Sequence, residues 1–402
     1  MENACPFAGY FDAMIEFYDE KPICNYLAPL FFCPQKLTYI LPDGENLRRM
    51  KNQVLRFFRH REFVCQIDFI SADLNTREGV EDALKQALSV HPGACLDITG
   101  GNDFTLFSAG GYCRELSLPV IAYHKRTNAF SPVAGCPFEG DIPCDIRLTA
   151  EDFVEMSGGS VVKSGRMTGK TASSLFDITE PIFRLTLRSR GAWASQVQYF
   201  QSVVSSAGEG VYRDLRAPMA IRGGRSGSAR CNPRLMEELL HIGALTEWRE
   251  EQGMARFSFR DRQTAEALCD VGMWLELFVY RGALQSGVFD DVRISCIVDW
   301  NGIENEPANV LNELDVVVSR KVTPCFISCK SGVPTTAALN ELHALTNLLG
   351  GRNARAILAT GARMPQESPS VYQRAKEMGI GIISRVELET GQLEACLEEL
   401  TR

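Results

Sequence analysis

The stretch Asn312–Gly332, NELDVVVSRKVTPCFISCKSG, puts an acid, Asp315, near the start of one apolar β-branched run. It puts a lysine, Lys330, at the end of a second, with a turn-like Arg320–Pro324 segment between them. Two strands paired through such a turn set the acid and the lysine side by side at one end of a sheet. That pair suits metal-dependent phosphodiester cleavage. A carboxylate holds a divalent cation against the phosphate, and an ammonium stabilises the charged transition state or orients the attacking water. A charge inside LDVVV is costly to bury without a cation or partner, which singles out Asp315. Glu313, two residues away on the same strand face, is an alternative ligand. Glu276, 39 positions before Asp315 in GMWLELFVYRGAL, is expected in the middle of an amphipathic helix as a second ligand.

The elements that must position these groups read in a definite order. A helix is expected over Gln263–Leu284, then strands at Val292–Asp299, Leu311–Val318 and Cys325–Cys329. A helix over Thr336–Leu349 ends at Gly350–Gly351, and strands at Ala356–Ala359 and Gly381–Ser384 flank a helix at Ser370–Met378. Before this block, Pro233 begins a short helix, LMEELLHI, that Gly243 stops.

The N-terminal part carries a second constellation. Strand-like runs at Lys36–Leu41, Cys65–Ile70, Cys95–Thr99 and Pro119–Tyr123 alternate with helical spacing over Gly44–Arg59, Thr76–Ser89 and Phe104–Leu116. That alternation implies a parallel, doubly wound sheet, which binds ligands at the carboxyl ends of its strands. In LDITGGNDF, Leu96–Phe104, a buried strand runs into Thr99, Gly100, Gly101, Asn102 and Asp103, and a helix follows. Glycines allow close backbone approach to a phosphate, and a helix start offers unpaired N–H groups; tight packing is the plainer explanation.

Bulk properties frame both sites. The length of 402 residues suggests two or three domains, with 45% apolar and 23% charged residues as in ordinary globular proteins. No apolar run approaches a membrane span, the acidic N-terminus does not read as an export signal, and fourteen scattered cysteines fit a reducing cytoplasm. Those cysteines form no CxxC pair, which argues against a zinc site. The net charge is −8, yet between Arg184 and Arg234 nine arginines face only Glu209 and Asp214, so that stretch carries +7 and the remainder −15. It is either an electrostatic footprint for a phosphate backbone or a solvated linker with paired arginines. The segment GRMTGKT, Gly165–Thr171, has Ser164 where a P-loop needs its first glycine, which excludes nucleotide hydrolysis there. The domains expected are 1–147, a partly helical Arg-rich connector 148–232, and 233–402.

Two halves of the chain resemble one family. YDEKPICNYLAPLF and LDITGGNDFTLFSAGGYC look like a CARF domain, the sensor of CRISPR-associated proteins. GMWLELFVY, NELDVVV and FISCKSG look like the PD-(D/E)xK restriction-endonuclease-like domain fused to it in ancillary nucleases of type III CRISPR systems. The fold so implied is a Rossmann-like CARF domain followed by a restriction-endonuclease-like α/β domain. The resemblance implies a homodimer that binds a cyclic oligoadenylate, most often cyclic tetra-adenylate, and then cleaves RNA or DNA. It makes Glu276, Asp315 and Lys330 the catalytic set, with Mg²⁺ or Mn²⁺ on Glu276, Asp315 and the Cys329 carbonyl. Turns around Glu20–Lys21 and Thr99–Asp103 of both subunits would hold the messenger. The family's second acid falls at Ser328, a hydroxyl here. Competing readings are a non-catalytic CARF-type regulator that binds nucleic acid and a messenger-independent repair or restriction nuclease.

Overall fold

A computed structural model describes residue 7 and residues 9–402, except 163–166, 209, 223–227 and 301–310. Part of GRMTGKT and Arg225 lie outside the described residues.

The N-terminal unit runs β1 (Ala13–Phe17), α1 (Leu27–Phe32), β2 (Lys36–Pro42), α2 (Leu47–His60), β3 (Gln66–Ala72), α3 (Arg77–Val90), β4 (Cys95–Asp97), α4 (Asp103–Leu116), β5 (Val120–His124), β6 (Ala129–Ala134) and β7 (Ile142–Pro143). Its sheet has the order β3-β2-β1-β4-β5-β6-β7, parallel through β5 and antiparallel beyond it. Tyr26, Phe57 and Phe58 pack on one face, and Val80, Leu84 and Ala109 on the other. The central strand β1 was not read from the sequence. All five of its residues, AMIEF, are buried, but Ala, Met and Glu lean towards helix, and burial on both faces removes any alternation.

The chain continues with α5 (Ala150–Met156), β8 (Ser160–Val161), α6 (Gly169–Ser173), α7 (Phe176–Arg188), α8 (Arg190–Ala207), β9 (Leu215–Pro218), β10 (Ala220–Arg222) and β11 (Ser228–Arg230). Helix α8 buries Trp193, Gln196, Val197 and Phe200 at helical spacing. A glutamine in that stripe hid the period; the Gln196 carbonyl is satisfied by the Asn232 N–H at 2.7 Å. Next come α9 (Pro233–Ile242), β12 (Leu245–Glu251), β13 (Met254–Phe259) and α10 (Arg262–Leu268). Asn232 caps α9 and Gly243 ends it with φ +86°, as the sequence signals require.

The C-terminal unit comprises α11 (Met273–Ser286), β14 (Asp291–Asp299), β15 (Leu311–Arg320), β16 (Thr323–Lys330), α12 (Thr336–Gly350), β17 (Arg355–Thr360), α13 (Pro369–Glu377), β18 (Gly381–Ile383), α14 (Arg385–Glu389) and α15 (Leu393–Leu400). Its sheet, β18-β17-β16-β15-β14-β8, borrows β8 from the middle of the chain. The expected single helix Gln263–Leu284 is instead α10 and α11. Asp270 breaks it by accepting the N–H groups of Gly272 (2.8 Å) and Met273 (3.2 Å). Glu276 therefore lies in the first turn of α11, not in the middle of a helix.

The two units meet through α5 and the β15–β16 turn. Arg56 pairs with Glu155 at 2.9 Å, and Arg61 and His60 meet Asp152 at 3.0 and 3.1 Å. The turn residue Lys321 accepts the Leu148 N–H at 3.0 Å, and Val322 is buried in the same apolar cluster as Tyr26, Phe57 and Phe58. No described helix is long and apolar enough to cross a membrane.

Candidate active site

Strands β15 and β16 pair from Arg320–Thr323 up to Val316–Ile327, and the pairing ends there. Beyond that point Asp315 takes up the donors that a strand partner would have used. Its Oδ2 accepts the Cys329 N–H at 2.6 Å, the Ser328 hydroxyl at 3.3 Å and the Lys330 ammonium at 3.4 Å. The Lys330 carbonyl accepts from Gly361 on the opposite, β17 side at 3.0 Å. By strand alternation the Cys329 carbonyl then faces β15, on the same side as its N–H. Asp315, Lys330 and the Cys329 carbonyl thus converge as the sequence led one to expect.

Glu276 approaches this group from α11. Its carboxyl is pushed up to about 9, first by burial and then by the negative charges of Asp315, Asp270 and Glu313, with Lys330 opposing. Burial lowers the Lys330 ammonium, but the charge and hydrogen bond of Asp315 outweigh it and raise the group overall. An acid held neutral by burial and, after it, by neighbouring acids is a place where added positive charge is favourable. The donors available, two carboxylates and a carbonyl oxygen, are the hard oxygen ligands that Mg²⁺ or Mn²⁺ takes together with water and phosphate. Among the described residues there is no group of three His, Cys, Asp or Glu arranged to hold a metal.

A cleft of about 380 Å³ opens over this group, lined by Glu313, Asp315, Ser328, Lys330 and, from α12, Glu341. Glu341 escaped the sequence reading. Its signal was its isolation as the one charged residue of TAALNELHALTNLLG, the helix after the catalytic hairpin.

In the N-terminal sheet the strand order reverses between β1 and β4, which pair with Glu16 opposite Asp97. Ligands of such sheets bind at this point, and the structure brings the Glu20–Lys21 and Thr99–Asp103 turns together there. The residue that joins them is Asp19, which the sequence alone did not single out. Its two oxygens accept the N–H of Lys21 at 2.7 Å and of Gly101 at 2.9 Å. Asn25 grips the Asp19 backbone at 2.7 and 2.8 Å.

This corrects one expectation: the Gly101 N–H, assigned to a phosphate, already donates to Asp19. Gly101 has φ +100°, and a Cβ at Gly100 would lie 3.0 Å from the Phe17 carbonyl oxygen, so both glycines are demanded by the turn itself. Thr99 donates its hydroxyl to Asp97 and accepts the Tyr123 N–H at 2.8 Å, while Asn102 caps α4 through Thr105 N–H at 2.9 Å. Glu20, Lys21, Asn102 and Asp103 remain exposed on the rim. His124, Lys125 and Arg126 end β5 beside Thr99 and add basic groups that went unread.

Below the turn, Glu16 and Asp97 are fully buried. Burial lifts both, Glu16 well above its usual range with help from the Asp97 charge, and Asp97 to about 6.

The arginine-rich stretch divides. Arg184, Arg188 and Arg190 are engaged by Glu180, Glu238 and Glu367 at 2.8, 3.0 and 2.7 Å. Arg216 faces Arg256 across β9 and β13, and Arg256 faces Arg249 on β12.

Residues 264–402 match the model of the Card1-like endonuclease domain. No curated protein matches the sequence. Among solved structures, protein VC1899 from Vibrio cholerae matches with a TM-score of 0.75 at 18% identity, over 97% of each chain. Can2 from Sulfobacillus thermosulfidooxidans, solved in complex with cyclic tetra-adenylate, matches at 0.68 and 16% identity, over 97% of this chain and 99% of that one. The expected fold, a doubly wound Rossmann-like α/β domain followed by an endonuclease-like α/β domain, is borne out.

Proposed function

We propose that this fusion of a CARF domain to a Card1-like endonuclease domain, the architecture of type III CRISPR ancillary nucleases, cleaves RNA or DNA with Mg²⁺ or Mn²⁺ when a cyclic oligoadenylate binds its sensor. The observation that carries the catalytic half is the Asp315 carboxylate between parted strands, with Cys329, Ser328 and Lys330 donating to it and a neutral Glu276 alongside. Glu276, Asp315 and the Cys329 carbonyl would hold the metal, which when bound polarises the phosphate and acidifies a water. Lys330, kept protonated by Asp315, presents fixed positive charge where the phosphorane develops negative charge. Ser328 adds a hydroxyl but no charge, so the metal rests on fewer carboxylates than in the family pattern.

For the sensor, the supporting observations are the switch-point location and the exposed rim of Lys21, Asn102 and Asp103. Helix α4 leads directly from that rim and exposes Phe104 (47%) and Phe107 (85%) on one side. Gly110 and Gly111 leave open space further along the helix. An apolar stripe of this kind suits a second copy of the chain, and a two-fold axis there would present both rims to one symmetric ring. Cyclic tetra-adenylate, the ligand of Can2, is the first activator to try.

The test is a grid of single-stranded RNA, single-stranded DNA and supercoiled plasmid, each with and without cyclic oligoadenylates and with Mg²⁺, Mn²⁺ or EDTA. Cleavage that appears only with both a ring and a metal is expected. Full cleavage in EDTA overturns the metal assignment, and equal cleavage without any ring overturns the sensor assignment. Calorimetry is expected to give one ring per two chains.

A further inference from the structure

A second cavity, of about 740 Å³, adjoins the end of the strand that carries Lys330 and shares no lining residue with the acid-lined cleft. It is entered beside Ser331 and Gly332, the residues that follow the lysine, and beside Leu275, which precedes Glu276. Its floor is apolar and aromatic: Phe183 and Leu187 from α7, Trp193 from α8. Trp193 is 2% exposed, and its indole N–H has no hydrogen-bond partner among the described residues. A buried, unpaired donor just behind the wall of a hollow that Thr186, Arg190 and Ser331 also line is costly unless a small shift lets an acceptor reach it. At the rim stands Arg190, a third of its side chain still exposed while it pairs with Glu367.

We propose that this cavity receives a nucleobase of the strand being cut, next to the scissile phosphate. The inference rests on the nuclease reading of Glu276, Asp315 and Lys330 and adds a substrate subsite to it. A base is flat and apolar on its faces and carries acceptors on its edge, which matches an aromatic floor with an unpaired donor. A strand whose phosphate lies at Lys330 has its neighbouring base within reach of Gly332. The rim arginine then meets the adjoining phosphate, a group for which guanidinium is well suited.

Ala194, exposed on α8 at the cavity mouth, offers a way to fill the space without touching the core. Ala194→Trp is compared with its parent in an Asp315→Asn background that cannot cut, by fluorescence anisotropy of a labelled single-stranded oligonucleotide. A matched set of oligonucleotides carries one abasic position moved along the strand. The filled variant is expected to bind the intact oligonucleotide about tenfold more weakly, the order that loss of one base–aromatic stack implies. Both proteins are expected to bind equally when the abasic position falls at the subsite. In the cutting-competent background, Ala194→Trp is expected to raise KM with kcat retained and to flatten the base preference beside the cut.

Equal binding of the intact oligonucleotide by parent and variant overturns the subsite. If the variant weakens binding as expected but no form of the enzyme cuts any substrate, the nuclease reading fails and the cavity is a base-binding site with no cut beside it. If neither protein binds an oligonucleotide, both fail.

Discussion

The turn at the strand-order reversal and the gap between β15 and β16 handle a carboxylate in opposite ways. At the turn, Asp19 spreads its two oxygens over the N–H groups of Lys21 and Gly101, and Asn25 locks its backbone. Asp19 there acts as a clasp within the protein, and the exposed residues around it are left for a ligand. At the catalytic gap, Asp315 gathers three donors on one oxygen, Oδ2, and stands near a second acid that is held neutral. That arrangement is short of positive charge. The contrast teaches that a carboxylate inside a fold is a structural tie where its oxygens are divided among backbone donors. Where acids crowd together beside a lysine, the carboxylate suits the catalytic role proposed for Asp315.

Breaking the gap should give the largest effect. Asp315→Ala removes a metal ligand and the acceptor for Cys329, Ser328 and Lys330. Cleavage should fall to background, at or beyond the upper end of the roughly 10²–10³-fold that one preorganised charge-stabilising group supplies. Messenger binding by calorimetry should be unchanged, and wild-type cutting by this variant would remove Asp315 from the site. Lys330→Ala should cost on the order of 10²-fold in kcat; restoration of rate by Lys330→Arg would show that charge alone suffices.

The neutral acid gives a pH test. A cation must displace the Glu276 proton, so its apparent affinity should strengthen by up to about tenfold per pH unit and level off near 9. The same raised carboxyl makes the metal-free fold lose stability as pH rises from about 4.5 to about 9, because the unfolded chain gives up that proton first. Metal titrations and melting curves across that window check both signs, and Glu276→Gln should abolish both slopes. On the sensor side, Asp19→Ala should loosen the turn by the order of 1.5–3 kcal/mol per charged hydrogen bond lost. Its expected effect is weaker messenger binding and a smaller ring-stimulated rate. Unaltered stimulation would mean that the turn is held by other contacts. Gly101→Val would be a poor probe of this turn, since φ +100° strains any side chain whether or not a ligand binds.

The catalytic hairpin was legible because an acid inside LDVVV and a lysine ending FISC break an apolar pattern that is otherwise unambiguous. Helical alternation gave the N-terminal parallel sheet, except β1, where residues of helical leaning are forced into strand by burial on both faces. The break before Glu276 was missed because Asp270, Val271 and Gly272 fit a helical stripe when counted by hydrophobicity. Only the carboxylate's use of two N–H groups shows the new helix start. Asp19 and Glu341 were invisible for another reason: what each does depends on segments distant in sequence, and no local spacing encodes that.

Val322 sits in the core of the N-terminal unit, and Lys330 lies eight residues on, at the end of the strand that follows it, about 26 Å away at roughly 3.3 Å per residue. The β15–β16 ribbon is thus a fixed ruler, anchored in one domain and carrying its working tip in the other. Inserting one residue in each strand would turn the tip's side chains to the wrong face, whereas two in each would keep the faces and lengthen the ruler by about 7 Å. The first change should destroy the catalytic group, and the second should preserve it at a distance from the sensor for which no other part of the fold is built.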